Sequence, residues 1–330
     1  MSSYIIRRLL LIISTLFLVT IIVFLSVRFI PGSLVELMVS DRYRESTTSR
    51  EEMITAVREQ LGLDVPVWKQ YLRWLGVYPQ KDGTFSGVFE NNLGKSLWSQ
   101  RPILGEITQR IPISLELGII AIVTALLVAF PIGIYSAIRQ DTTGDYLGRS
   151  FAILCIAVPG FWLATMTFVF PAKWWHWTPP VIYYPITQDF WANIRQFLIP
   201  GILMGMSMSG TTMRMTRTMM LEVLRQDYIR TAWAKGLRER AIVVRHALKN
   251  ALIPVVTIIG LQLPILIGGS VIMEQIFVLP GMGRLMLDSL SSRDYPVVSG
   301  VNLVVATVIL AANLLVDLTY AWLDPRIRYR

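Results

Sequence analysis

The sequence predicts an all-α integral membrane protein with six transmembrane helices, and three observations carry that reading: composition, the length of the apolar runs, and the placement of basic residues. Hydrophobic residues make up 53% of the 330-residue chain and charged residues only 16%, with a mean hydropathy of +0.52. Ordinary soluble domains hold about 25% charged residues. Crossing ~30 Å of hydrocarbon takes about 20 helical residues. Runs near that length lie at Leu9–Phe29, Leu115–Ala137, Phe151–Phe170, Phe197–Met215, Leu252–Val271 and Val301–Leu323. Pro159-Gly160 interrupts the third, which is tolerated where neighbouring helices satisfy the freed backbone groups.

Taken in order, the first run follows Arg7-Arg8 and has a secretory look. It is too long for a cleaved signal, and Arg28-Phe29-Ile30-Pro31 offers no small-residue cleavage site, so it reads as a retained span. Between Glu51 and Gly76 the chain reads as two helical stretches around Gly62, with Trp68, Leu72 and Leu75 on one apolar face and Arg58, Lys69 and Arg73 off it. Two readings fit: a small external subdomain between the first two helices, or an amphipathic helix on the membrane surface. After the third run, Trp174, Trp175, Trp177, Tyr183, Tyr184 and Trp191 read as interfacial anchors, and Pro179-Pro180 and Pro185 keep the segment a loop.

Charge gives the orientation. With a cytoplasmic N-terminus, the inner side holds Arg7, Arg8, Arg139, Arg149, a basic loop after the fourth run, and Arg326, Arg328 and Arg330. The short outer loops hold Lys173, Arg195, Arg284 and Arg293. Both termini are then inside. The segment Pro31–Pro112 carries ten basic residues, but one of that length translocates largely regardless of charge. The net charge of +9 therefore follows topology and speaks against a nucleic-acid partner.

The basic loop is amphipathic. Leu221, Leu224, Tyr228 and Ala232 recur at helical spacing, Gly236 breaks the pattern, and a second run from Arg240 carries Arg245 and Lys249 up to Pro254. Two short helices hinged at Gly236 make a rigid lever. Asp227-Tyr228-Ile229-Arg230-Thr231-Ala232, Ala234-Lys235-Gly236-Leu237 and His246-Ala247-Leu248-Lys249-Asn250-Ala251-Leu252-Ile253-Pro254 resemble the cytoplasmic coupling loop of binding-protein-dependent ABC importer permeases, nearest to the peptide and nickel branch. Arg230 stands where that family's pattern has a glutamate, and Glu222 and Asp227 are the nearest acids.

The same resemblance extends along the chain. Leu61-Gly62-Leu63-Asp64-Val65-Pro66 and Asn92-Leu93-Gly94-Lys95-Ser96 look like the N-terminal extension of peptide-branch permeases. Met273-Glu274-Gln275-Ile276-Phe277, Pro280-Gly281-Met282-Gly283-Arg284, Arg293-Asp294-Tyr295-Pro296 and Asn313-Leu314-Leu315-Val316-Asp317 look like their last outer loop and last span. The resemblance implies a type I ABC importer permease fold, with residues 1–113 as first helix plus external region and 114–330 as the permease domain. It implies coupling through Glu222, Asp227, Tyr228, Arg230, Thr231, Ala232, Lys235, Gly236, His246 and Asn250, within 222–250. The implied partners are a second permease, two cytoplasmic ATPase subunits, an extracytoplasmic solute-binding protein and membrane lipid in a bacterial or archaeal inner membrane. ATP and Mg would be used by the ATPases, and this chain would bind no cofactor.

Enzyme chemistry finds little support. His176 and His246 fall on opposite sides of the predicted bilayer, and Cys155 is the sole cysteine, so no His/Cys metal site or Cys-His pair assembles. Gly94-Lys95-Ser96 resembles the end of a phosphate-binding loop, but Phe89 occupies the position of its first glycine. Arg214, Glu274 and Asp317 are ionisable residues in or beside spans, where insertion costs about 2.5–3.5 kcal/mol, and are candidates for a pathway or gate as well as for snorkelling or capping. Met204, Met206, Met208, Met213, Met215, Met219 and Met220 read as ordinary helix packing or as an adaptable pore lining or subunit interface. A stand-alone secondary transporter is the alternative, but no internal repeat relates the two halves.

Overall fold

A computed structural model describes residues 2–29, 51, 54, 55, 58, 64–268 and 270–323. Gly62, most of the stretch preceding it, and the terminal arginines lie outside the described residues. The described residues are mainly helical; the one β feature among them is an isolated bridge between Lys95 and Pro102. The helices are α1 (Ser2–Ser26), α2 (Val67–Leu75), α3 (Ile103–Ile138), α4 (Thr143–Ala157), α5 (Gly160–Trp175), α6 (Phe190–Leu224), α7 (Asp227–Ala234), α8 (Glu239–Ala241), α9 (Lys249–Gly268), α10 (Ser270–Ile276), α11 (Met282–Ser291) and α12 (Tyr295–Leu323).

Three segments, Ile6–Ser26, Ile103–Ile138 and Tyr295–Leu318, are helical, long and apolar enough to cross a membrane. The number rises to five if each of two bent pairs counts as one span. One such pair falls at the interruption expected at Pro159-Gly160: α4 and α5 meet there at 89°. Proline at 159 offers no amide hydrogen and drives the preceding residue out of the helical region, and Val158 is extended at φ −83°, ψ 121°. The predicted fourth run lies in α6, which exceeds the length needed but carries Gly, Ser, Thr and Met in place of the larger aliphatics. Its 35 residues rise about 52 Å, more than the hydrocarbon thickness.

Contacts divide the chain into two units: Met1–Leu9 with Arg110–Arg284 and Val308–Arg330, and Leu10–Gln109 with Leu285–Thr307. In the first, a buried cluster of Ile113, Leu117, Ala121, Phe197, Met204, Met273 and Phe277 joins α3, α6 and α10. Small residues let these backbones approach, as in membrane bundles generally. A β-carbon at Gly201 would lie 2.4 Å from Ile120, and one at Gly205 would lie 2.5 Å from the Ala121 carbonyl.

Two wholly buried carboxylates pin this unit. Asp145, near the start of α4, receives Arg217 Nε and Nη2 at 2.7 Å each, and the Asp141 amide at 3.1 Å. Glu274 accepts from Ser114 Oγ at 2.7 Å, Ser270 Oγ at 2.9 Å and the Arg284 amide at 2.9 Å. Ser114 Oγ in turn accepts from the Met282 amide at 2.8 Å, so α3, α10 and the start of α11 share one network. Charge-assisted bonds of this kind are the strong ones.

In the second unit α2 packs on α1. Phe24 meets Tyr71 at 5.2 Å and Trp74 at 5.7 Å between ring centroids, and the Thr20 and Tyr71 hydroxyls bond at 2.7 Å. The predicted apolar face of α2 is thereby shifted: Leu75 is buried, but Trp68 is 58% exposed, with Tyr71 and Trp74 taking the inward role. Buried Asp294 accepts from Ser96 Oγ at 2.5 Å and from the Leu97 amide at 3.2 Å, while Trp98 Nε1 donates to the Ser292 carbonyl at 2.9 Å. Gly94-Lys95-Ser96 thus belongs to a latch on the segment preceding α12.

The Glu274 network predicts the outcome of a paired substitution. A β-carbon at Gly281 would sit 2.3 Å from Glu274 Cδ, whereas one at Gly105 meets nothing within 4 Å. Gly281→Ala is expected to destabilise by about 1–3 kcal/mol through overpacking, and Gly105→Ala to leave stability unchanged. Thermal unfolding of the detergent-purified variants, followed by size-exclusion fluorescence, measures both.

Candidate functional site

Between α6 and α9 the chain leaves the bundle and returns as a hairpin. Asp227 opens α7, and the helix ends at Lys235 with Gly236 at φ +73°. The Gly236 amide donates to the Trp233 carbonyl at 2.9 Å and the Leu237 amide to the Ala232 carbonyl at 3.4 Å, the paired bonds of a Schellman C-cap. Such a cap requires left-handed backbone, which glycine adopts without steric cost.

The return strand of the hairpin differs from the expected separate short helix. The turn α8 runs through a π-helical stretch, Ile242–Leu248, directly into α9, and the helix bends by 49° before Pro254. Single π-turns widen a helix locally and tend to sit at functional positions.

The inner face of the hairpin is apolar. Ile229, Ala232, Ile242, Val243 and Ala247 form one buried cluster with Ala137 of α3, Met220 of α6 and Ala251 of α9. Ile229 and Ile242 are fully buried, and each such burial contributes about 1.5–3 kcal/mol. Here the helical pattern read from the sequence is corrected: Tyr228, assigned to the apolar stripe, is 44% exposed, and Ile229 takes the anchoring position.

The outer face gathers most of the predicted coupling residues. Glu222, Asp227, Tyr228, Arg230, Thr231, Lys235, Gly236 and Asn250 are exposed; His246 is half-buried and Ala232 faces inward. Asn250 Nδ2 donates to the Tyr228 hydroxyl at 2.9 Å and to the His246 carbonyl at 3.1 Å, joining the two arms. Arg230 pairs loosely with Asp227 at 3.4 Å, and both stay open to solvent. Trp233, Leu237 and Val244 add exposed apolar area beside these polar groups. The face therefore offers a clustered mix of aromatic, charged and amide groups, the composition of a protein interface.

The other candidates are dispersed. Arg214 is exposed on α6, one turn before Arg217, which holds Asp145. Asp317 on α12 pairs with Arg8 on α1. Glu274 is consumed by its network. These three are not brought together. Sequence reasoning missed Asp145, whose position after Thr142 reads as an ordinary helix start, and the polar residues Glu116, Asn193 and Gln196, of which the first two are hydrogen-bonded. The signal available for the latter is an acid on α3 and two amides on one face of α6 in otherwise apolar segments.

Residues 129–329 match the family of binding-protein-dependent transport system inner membrane components. The chain belongs to this family. Residues 1–118 match the N-terminal part of binding-protein-dependent transport system membrane components. Over the full length of both proteins, the permease is 38% identical to the dipeptide transport system permease protein DppB of Alkalihalophilus pseudofirmus and 36% identical to DppB of Escherichia coli K12. It is 35% identical, again end to end, to the glutathione transport system permease protein GsiC of Escherichia coli O6:H1. It is an ABC importer permease subunit, a multi-pass protein of the inner membrane.

The Schellman cap yields a graded prediction. No atom lies within 4 Å of a β-carbon at Gly236, so only backbone strain opposes substitution. Gly236→Ala is expected to cost about 1–2 kcal/mol locally, Gly236→Val more, and Gly236→Asn little, because asparagine tolerates left-handed backbone. Trypsin cleavage after Lys235 and Arg238 in inside-out vesicles should rise for Val and Ala and stay at the parental level for Asn.

Proposed function

We propose that this permease forms half of the translocation path of a peptide importer and is driven through the 222–250 hairpin by two cytoplasmic ATPases. The observation that carries the reading is the two-faced hairpin: its apolar face is seated on α3, α6 and α9, and its opposite face presents Asp227, Tyr228, Arg230, Trp233 and Lys235 to a partner. Rigid elements with alternative packings transmit displacement without deforming continuously. In this reading ATP and Mg act at the partner ATPases, a second permease completes the path, and an extracytoplasmic binding protein delivers the solute.

Six spans give the simplest topology: α1, α3, the α4–α5 pair, α6, α9 and α12, with both termini cytoplasmic. Residues 1–113 then comprise the first span and the external region, and 114–330 the remaining five spans. Peptides are the substrate class favoured by the relatives, which are named for dipeptides and glutathione.

Cysteine accessibility tests the topology that this mechanism needs. In a Cys155→Ala background, cysteines at Phe89 and Arg238, both exposed, are placed on opposite sides. In intact cells or spheroplasts, a membrane-impermeant maleimide is expected to label position 89 and to leave 238 unlabelled until the membrane is permeabilised. Labelling of 238 from outside would remove the hairpin from the ATPases.

A further inference from the structure

Glu116 stands apart from the buried carboxylates described above. It is half-buried on α3, and its Oε2 accepts a single long hydrogen bond, 3.4 Å, from Asn193 Nδ2. Its Oε1 is shut off from solvent and has no partner. No basic side chain forms an ion pair with it among the described residues.

Two amides of α6 also lack partners, and one of them, Asn193, is the donor to Glu116. Asn193 and Gln196 lie one turn apart near the start of α6, exposed by only 0% and 1%. Asn193 Nδ2 also donates to the Tyr184 carbonyl at 3.0 Å, which fixes the amide's orientation and leaves Oδ1 without a donor. Neither Nε2 nor Oε1 of Gln196 is bonded. Tyr183 closes the group: its ring lies 6.2 Å from that of Phe197, and burial together with the Glu116 charge raises its hydroxyl above the ordinary value.

Buried polar atoms are normally paired, so four unpaired ones on Glu116 and on two residues one turn apart on α6 call for a ligand or a function. Three are acceptor oxygens, one of them on a carboxylate; the fourth is an amide donor. A primary ammonium supplies one positive charge and three N–H donors with no acceptor, and in a peptide N-terminus a carbonyl lies two bonds farther on, within reach of an amide donor.

We propose that Glu116, Asn193 and Gln196 form a station for the α-ammonium of a peptide passing through the permease, with Gln196 Nε2 donating to the adjoining peptide carbonyl. This rests on the peptide-importer reading above. Dipeptides and glutathione, the cargoes for which relatives are named, both carry a free α-ammonium. The unpaired atoms are closed to solvent in this conformation, so the station loads when the ends of α3 and α6 beside it separate.

The test uses the complete transporter in proteoliposomes, with binding protein saturated either by alanyl-alanine or by propionyl-alanine, its analogue lacking the amine. The parental complex is expected to import alanyl-alanine at least about tenfold faster, since a site built to bond a donor rejects the analogue without it. Glu116→Gln keeps the side-chain shape and the bond from Asn193 but removes the charge, and Gln196→Leu removes both amide atoms. Each is expected to lower the import ratio about tenfold. Ratios within about twofold of the parental value in both variants overturn the station, and if Glu116→Gln fails to reach the membrane, Gln196→Leu decides alone. A parental complex that hydrolyses ATP but imports neither compound overturns the peptide reading itself.

Discussion

A carboxylate withdrawn from water into an apolar bundle must find its donors within the chain, and this requirement fixes the points from which the rest of the permease is hung. Breaking a buried ion pair by removing one partner costs about 3–5 kcal/mol, because the survivor is left charged and unpaired. Asp145 meets it with the two-pronged Arg217 contact, which binds the start of α4 to α6. Glu274 meets it with hydroxyls and an amide drawn from three segments, and Asp294 with the loop at Ser96. Each solution joins residues far apart in sequence, so each is a tertiary constraint as well as a local one. Glu116 alone among these acids is left with a single weak donor.

These anchors bear on function because they make the elements around the hairpin stiff. The ion pair at Asp145 holds α6 near its C-terminal end, and Met220, one turn further on, is buried against Ile229 and Ile242. In the proposed coupling, a push on α7 reaches α6 through this cluster and the start of α9 through the π-helical stretch. Close approaches at Gly201 and Gly205 extend the same rigidity along α3 and α6. In the proposed function, loading a solute and turning the path outward are alternative arrangements of these packed helices, in the way packed interfaces switch.

Much of this was legible in the sequence because bilayers impose simple rules. Apolar run length revealed α1, α3 and α12, and Pro159-Gly160 marked the place where α4 and α5 part. Gly236 was legible as a helix stop, since few other residues accept its backbone conformation. What escaped were features set by three-dimensional neighbours. Tyr228 and Ile229 are adjacent, and periodicity over eight residues cannot decide which faces inward. The π-helical stretch has no sequence signature. Asp145 and Asp294 stand at helix starts, and only the partner across the fold, Arg217 or Ser96, reveals them as buried. The Glu116 group was hidden for the same reason, with its members 77 residues apart.

The account turns on the hairpin being the surface that a motor protein grips, and Trp233, exposed on α7, reports on it most directly. A photo-crosslinking residue placed at 233 in the assembled transporter, irradiated in native membranes, is predicted to give a covalent product containing the cytoplasmic ATPase, while the same probe at Phe89 gives none. ATPase captured at 89 and absent at 233 would contradict the account.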